Sequence, residues 1–270
     1  MAGLCWVASC TSAPSSELPL GQVVVPGTFI GDGFSSRPRG LIKVLPQDGP
    51  RVVYDLTRRH RIIFVNGQGG MYRAGNDEDS RINLSSITNS NVTMPAYSKG
   101  ASAWQQFLSC IRDEYARFDA EVTDVDPGNA DHIEAVISGT PDMIGMPQGV
   151  GGVAPMNPDC STVENGIVWI FEQVFGSATT DCEVAAQEIS HAIGLDHEYL
   201  CQDPMTYLDG CGRKTFQDQD VRCGEYSPRD CMCADPRNGS PRMQNSVQFM
   251  LGRLGPASGA GGSGGGGGSG

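Results

Sequence analysis

Gln187-Glu188-Ile189-Ser190-His191-Ala192-Ile193-Gly194-Leu195-Asp196-His197, continued by Glu198-Tyr199-Leu200-Cys201-Gln202-Asp203-Pro204-Met205-Thr206-Tyr207, is the stretch on which the rest of the chain is organised. Upstream of it, Thr180 to Ile193 carries apolar Val184, Ala185 and Ile189, few breakers, and Asp181 and Glu183 in its first turn. That pattern predicts a helix with an acidic N-terminus. On such a helix Gln187 and His191, four residues apart, stand one above the other on a single face, with Glu188 beside them. Gly194 is free to adopt positive φ, which ends the helix and turns the chain so that His197 swings back towards the same point. The spacing therefore suits convergence on one metal ion.

The string resembles the HExxHxxGxxH zinc signature of the metzincin metalloendopeptidases, matching at Glu188, His191, Gly194 and His197. Gln187 stands where the family has its first histidine. Asp203 to Tyr207 resembles the Met-turn, in which Met205 would pass beneath the metal, and Tyr207 stands where astacin-like and serralysin-like members carry a metal-contacting tyrosine. The resemblance implies zinc on His191 and His197, with Gln187 as a weak third ligand and Tyr207 as a further one. An amide oxygen is a harder and weaker ligand than imidazole for this ion, so zinc affinity should fall. Glu188 would be the general base that takes a proton from a metal-acidified water. Two functions compete under the resemblance. The first is a secreted or surface-anchored zinc-dependent endopeptidase; the alternative is a catalytically inactive metzincin-like protein that binds peptide or protein partners in its cleft. A cysteine-rich adhesion domain without metal is a third reading, from another class.

Composition narrows the setting. The chain has 270 residues, 39% of them hydrophobic, enough for one sizeable domain with tails. Lys and Arg number 19 against 31 Asp and Glu, a net charge of −12 that repels nucleic acid and anionic membrane surfaces. Ten cysteines without paired CxxC knuckles argue for disulfides and an oxidising, extracellular or cell-surface location, in keeping with a bacterial exported protein. Cys201 and Cys211 bracket the Met-turn and are predicted to be bridged.

In chain order, residues 1–20 read as a truncated export signal and spacer. Val7-Ala8-Ser9-Cys10 resembles a bacterial lipobox, which would make Cys10 a lipid anchor; a plain frayed terminus is the alternative. The apolar run is too short to span a bilayer. Residues 21–58, with the short runs Gln22 to Val25 and Leu41 to Leu45, read as a small β appendage or prosegment. Residues 59–254 would form the metzincin-like domain, an α+β fold with a twisted mixed sheet, two main helices including the active-site helix, a Met-turn and a C-terminal helix. Its strands are expected at Arg61 to Asn66, Ala120 to Val125, Ile133 to Ser138 and Ile167 to Phe171. Trp104, Phe107, Leu108, Ile111, Tyr115 and Phe118 mark one face of a core helix over Ala101 to Phe118, giving a parallel strand-helix-strand crossover. Gly151, Gly152, Val153 and Ala154 would, by the resemblance, lie on an edge strand that pairs with an extended substrate. Asn76, Asp77, Glu78 and Asp79 form an acidic loop with hard oxygen ligands for calcium, against the plainer reading of a solvated turn. His60 and His132 are read as surface residues. Cys211 to Asp235 reads as an irregular disulfide-held lobe and Gln244 to Leu251 as the closing helix, while 255–270 is a Gly/Ser-rich flexible linker.

Overall fold

The structure is a computed structural model that describes residues 29–30, 39–46, 59–232 and 242–257. The N-terminal signal and spacer with Cys10, the Gln22 to Val25 run and most of the Gly/Ser tail lie outside the described residues. The first strands are β1 (Phe29–Ile30), β2 (Arg39–Val44), β3 (Arg61–Asn66) and β4 (Gly70–Ala74), followed by β5 (Leu84–Ser85) and β6 (Val92–Met94). Helix α1 (Gly100–Tyr115) leads to β7 (Ala120–Thr123), β8 (His132–Ile137), β9 (Val150–Met156) and β10 (Ile167–Ile170). Helices α2 (Ala178–Ile193) and α3 (Ser246–Arg253) complete the chain.

Seven strands form one mixed sheet in the order β1-β2-β9-β10-β8-β3-β7, and β5-β4-β6 form a second, small one. The expected α+β class holds, and β3 and β7 pair in parallel across α1. The central strands are buried on both faces, which is why they read as continuous apolar runs. Ile133, Ala135 and Ile137 of β8 and Val168 and Ile170 of β10 face the core that contains α1 and α2. Val136, Ile167 and Trp169 alternate to the opposite face, where Tyr72, Ile87 and Met94 of the small-sheet region cover them. Against the helix side, α1 buries Phe107, Leu108, Ile111 and Tyr115, each contributing about 1.5–3 kcal/mol of apolar burial. A Cys110–Cys182 disulfide ties α1 to α2.

Three boundaries differ from the sequence reading. The run Leu41 to Leu45 is not a separate appendage: β2, which contains most of it, is hydrogen-bonded into the main sheet, parallel to β9. In consequence β9, which carries Gly151 to Ala154, is not an edge, because β2 occupies its outer side and β10 its inner side. The C-terminal tail also begins later than residue 255, since Gly255 accepts from Asp119 N at 3.0 Å and Ala257 N donates to Arg117 O at 3.1 Å. The first two share one reason. Glycine and proline near a strand lower its local β preference, yet pairing with a neighbour already in place offsets that cost. Among the described residues no helix is long and apolar enough to cross a membrane.

Candidate metal centre

Helix α2 begins two residues earlier than its pattern required, because Ser177 caps it by accepting from Thr180 N at 3.2 Å. It ends at Gly194, where φ is +117° and the backbone N–H donates to Ser190 O and His191 O. A side chain at Gly194 would place its Cβ 2.3 Å from Cys160 O, so both the left-handed turn and the close approach require glycine. The turn delivers Leu195, Asp196 and His197 to the interior, all fully buried.

His191 and His197 meet with ring centroids 4.5 Å apart and planes at 88°. His191 Nδ1 faces Leu195 O at 2.7 Å, and a carbonyl can only accept, so Nδ1 carries the proton and Nε2 is bare. His197 Nδ1 faces Glu225 Oε1 at 2.9 Å, with the same consequence. Burial, helped by neighbouring His197, holds the His191 pKa down at about 3, so this imidazole is neutral across the working range. Gln187 and Glu188 arrive from the preceding turn. Both sit against Gly40 of β2: a Cβ there would lie 1.9 Å from Glu188 Oε1 and 2.8 Å from Gln187 Oε1. Glu188 is pressed from a second side by Gly152 of β9, whose Cβ would lie 2.7 Å from its Cγ. Two glycines on adjacent strands thus admit the Glu188 side chain between helix and sheet.

Five buried polar atoms of this cluster have no hydrogen-bond partner: Nε2 of His191, Nε2 of His197, both carboxylate oxygens of Glu188 and Nε2 of Gln187. The first four are acceptors, and the two faces of the Gln187 amide are interchangeable at this level of description. A buried set so rich in acceptors and so poor in donors is costly by itself and fits a cation. Burial raises the Glu188 carboxyl well above its ordinary range.

The turn beneath is braced by Asp203. Its carboxylate accepts from Met205 N at 2.9 Å, Gln217 N at 2.8 Å and Ser246 Oγ at 2.5 Å, while Glu198 N donates to Met205 O at 2.8 Å. Met205 is fully buried and belongs to the main core. The Cys201–Cys211 disulfide predicted around this turn is present. Tyr207 places its ring 4.6 Å from that of His197, and its hydroxyl donates to Gly40 O. The phenol is therefore engaged with β2 rather than counted among the unpartnered atoms.

No protein-family model matches this chain, and no curated protein does.

The site geometry brings together Gln187, Glu188, His191, His197 and Tyr207, all five singled out from sequence. It leaves His60 on the surface beside Asp119 at 2.8 Å. His132 is corrected: it is buried at the start of β8, with Nδ1 on Ala130 O at 2.8 Å. Its place is set by β8 pairing with β3, which a polar neighbour such as Asp131 does not reveal. In the acidic loop, Glu78 turns inward to accept from Ser86 N and Ser86 Oγ, both at 2.7 Å, and from Ile167 N at 3.2 Å. Asp79 chelates the Arg81 guanidinium at 2.8 and 2.9 Å. Those carboxylates serve protein donors, so the loop is not a solvated turn throughout.

Gly40, Asp196, Glu225 and Arg229 were not singled out. Asp196, His197 and Glu225 bring one ligand atom each within 4.8 Å of one another. Arg229 already pairs with both carboxylates, Nη1 standing 2.7 Å from Asp196 Oδ2 and Nη2 2.9 Å from Glu225 Oε1. Burial opposes ionisation of Asp196, yet the Arg229 cation outweighs it and holds the carboxyl below its ordinary range. Only an acidic residue at loop spacing from His197 would have signalled Glu225 in the sequence, and that signal is too common to use.

Proposed function

We propose that this chain is a zinc-dependent endopeptidase of metzincin type in which Gln187 replaces one imidazole ligand. The observation that carries the reading is the set of buried, unpartnered acceptors on His191, His197 and Glu188, with the Gln187 amide beside them. His191 and His197 would hold the ion through Nε2, and Gln187 through its amide oxygen. Zinc, when bound, supplies a Lewis acid that acidifies water and polarises a peptide carbonyl. Glu188 is the residue that takes the proton from the attacking water on a carboxylate oxygen and returns it to the departing amine. Tyr207 orients whatever carbonyl lies over the cluster, as its hydroxyl now does for Gly40.

An extended substrate would pair with β9, and in this reading β2 must first leave it, because β2 holds that side of the strand from Arg39 to Val44. The same occupancy favours the second reading, a scaffold that binds an extended segment without turning it over. Disulfides are compatible with an extracellular setting for either.

The test is elemental analysis of the purified, oxidised protein after chelator competition, followed by peptidase assay. Near-stoichiometric zinc with hydrolysis that Glu188→Ala abolishes, zinc content unchanged, supports the peptidase. Zinc without hydrolysis supports the binding scaffold, and no zinc after reconstitution refutes both the metal centre and the peptidase.

A further inference from the structure

His197 donates its Nδ1–H to Glu225, on a loop 28 positions further along that the Cys223–Cys231 disulfide closes. The loop is fastened at His197 itself: Gly224 N donates to His197 O at 2.9 Å, and Arg229 N to Cys223 O at 2.6 Å. At Gly224 φ is +136° and a Cβ would fall 2.0 Å from Ser227 O, so a side chain there would push the loop off its path. Glu225 follows directly and presents Oε1 to His197 Nδ1. Arg229 then forks between two carboxylates. Its Nη1 and Nη2 reach Asp196 Oδ2 and Oδ1 at 2.7 and 2.8 Å, and Nη2 also reaches Glu225 Oε1 at 2.9 Å. Asp196 in turn accepts from His197 N at 2.7 Å. The result is a closed ring of contacts, Asp196 to Arg229 to Glu225 to His197, with Asp196 and His197 fully buried and Glu225 and Arg229 partly exposed.

We propose that Glu225 is a positioning residue: it fixes the ring and tautomer of His197 so that Nε2 faces the cluster as a bare acceptor. Arg229 and the Cys223–Cys231 bridge hold Glu225 at that post. The inference rests on the metal-centre reading for its purpose, and on the hydrogen-bond geometry alone for the tautomer. A carboxylate behind an imidazole ligand also raises the basicity of the far nitrogen, and loss of such a partner typically lowers metal affinity by about 10- to 100-fold.

The experiment compares wild type, Glu225→Ala and Glu225→Gln in the full chain. Long-range proton-nitrogen correlation spectra of the metal-stripped protein report the histidine tautomers. Wild type should show His197 protonated at Nδ1. Glu225→Ala should show a mixture of tautomers, and Glu225→Gln, whose amide oxygen still accepts, should restore Nδ1–H. Zinc affinity by chelator competition should fall roughly 10- to 100-fold in Glu225→Ala and recover in part in Glu225→Gln. Glu225→Gln keeps the side-chain shape, so it remains informative where the alanine variant is poorly folded. A wild-type spectrum with His197 protonated at Nε2 overturns the proposal, and so does a Glu225→Ala variant with unchanged tautomer and unchanged zinc affinity. The predicted tautomer pattern in a wild-type protein that takes up no zinc leaves the positioning role standing and refutes the zinc reading.

Discussion

Substituting Gly40 by alanine places one methyl group where the structure has least room. Its Cβ would lie 1.9 Å from Glu188 Oε1 and 2.8 Å from Gln187 Oε1. A surface glutamate would swing away at little cost, but Glu188 is fully buried and Gly152 hems in its Cγ on the other side. Strain therefore falls on β2. That strand is held by the ladder to β9 and by the buried side chains of Leu41, Ile42 and Val44, each contributing about 1.5–3 kcal/mol. Overpacking by a methyl typically costs about 1–3 kcal/mol, less than the strand's total attachment. The strand should stay in place for most molecules while its detached population rises about 5- to 150-fold, at 1.4 kcal/mol for each factor of ten. Hydrogen exchange followed by mass spectrometry reads this directly, as faster exchange in residues 39–44 and in the β9 amides that face them, with α1 and β8 unchanged. Cleavage of an added peptide should rise with the same factor if β9 is the substrate strand. Uniform acceleration across the whole sheet would refute the reasoning, because it would make β2 an integral strand whose loss unfolds the domain.

Gln187→His should raise zinc affinity by more than about tenfold, since an imidazole nitrogen replaces an amide oxygen on the same helical face; equal chelator competition curves for both proteins would count against Gln187 as a ligand. Glu134 gives a pH signature away from the centre. Burial raises its carboxyl from the ordinary 4.5 to about 7, against hydrogen bonds from Tyr72 and Asn66 that lower it. The folded state therefore holds this proton more tightly than the unfolded state, so the contribution is fully present below about 4.5 and is lost as pH rises through about 7. Glu134→Gln should remove up to roughly 3 kcal/mol of that dependence, seen as a smaller difference between urea midpoints at acid and neutral pH. Replacing Cys110 and Cys182 together by serine opens a loop of 72 positions and should cost about 4 kcal/mol on the chain-entropy account, measured by urea denaturation under oxidising conditions.

Local pattern carried much of this protein into view. Period in the sequence identified α1 and α2 because helical periodicity is imposed by the residues of one segment on one another. Gly194 was legible as the turn for the same reason, since positive φ is a property of a single residue. With helix and turn in place, the meeting of Gln187, Glu188, His191 and His197 followed from spacing.

What tertiary structure alone decided is who stands beside whom. The run Leu41 to Leu45 was legible as apolar, but nothing in it states that its partner is β9, or that β9 thereby ceases to be an edge. Gly40 has no special backbone demand of its own; its meaning comes from Glu188, which packs against it only in the folded chain. Glu225 and Arg229, not singled out from sequence, are set behind His197 by the Cys223–Cys231 bridge and the Gly224 contact. His132, beside a charged neighbour, is buried by its strand's pairing. Backbone conformation is governed within a few residues, whereas pairing and burial depend on segments distant in sequence, and no short stretch encodes its own neighbour.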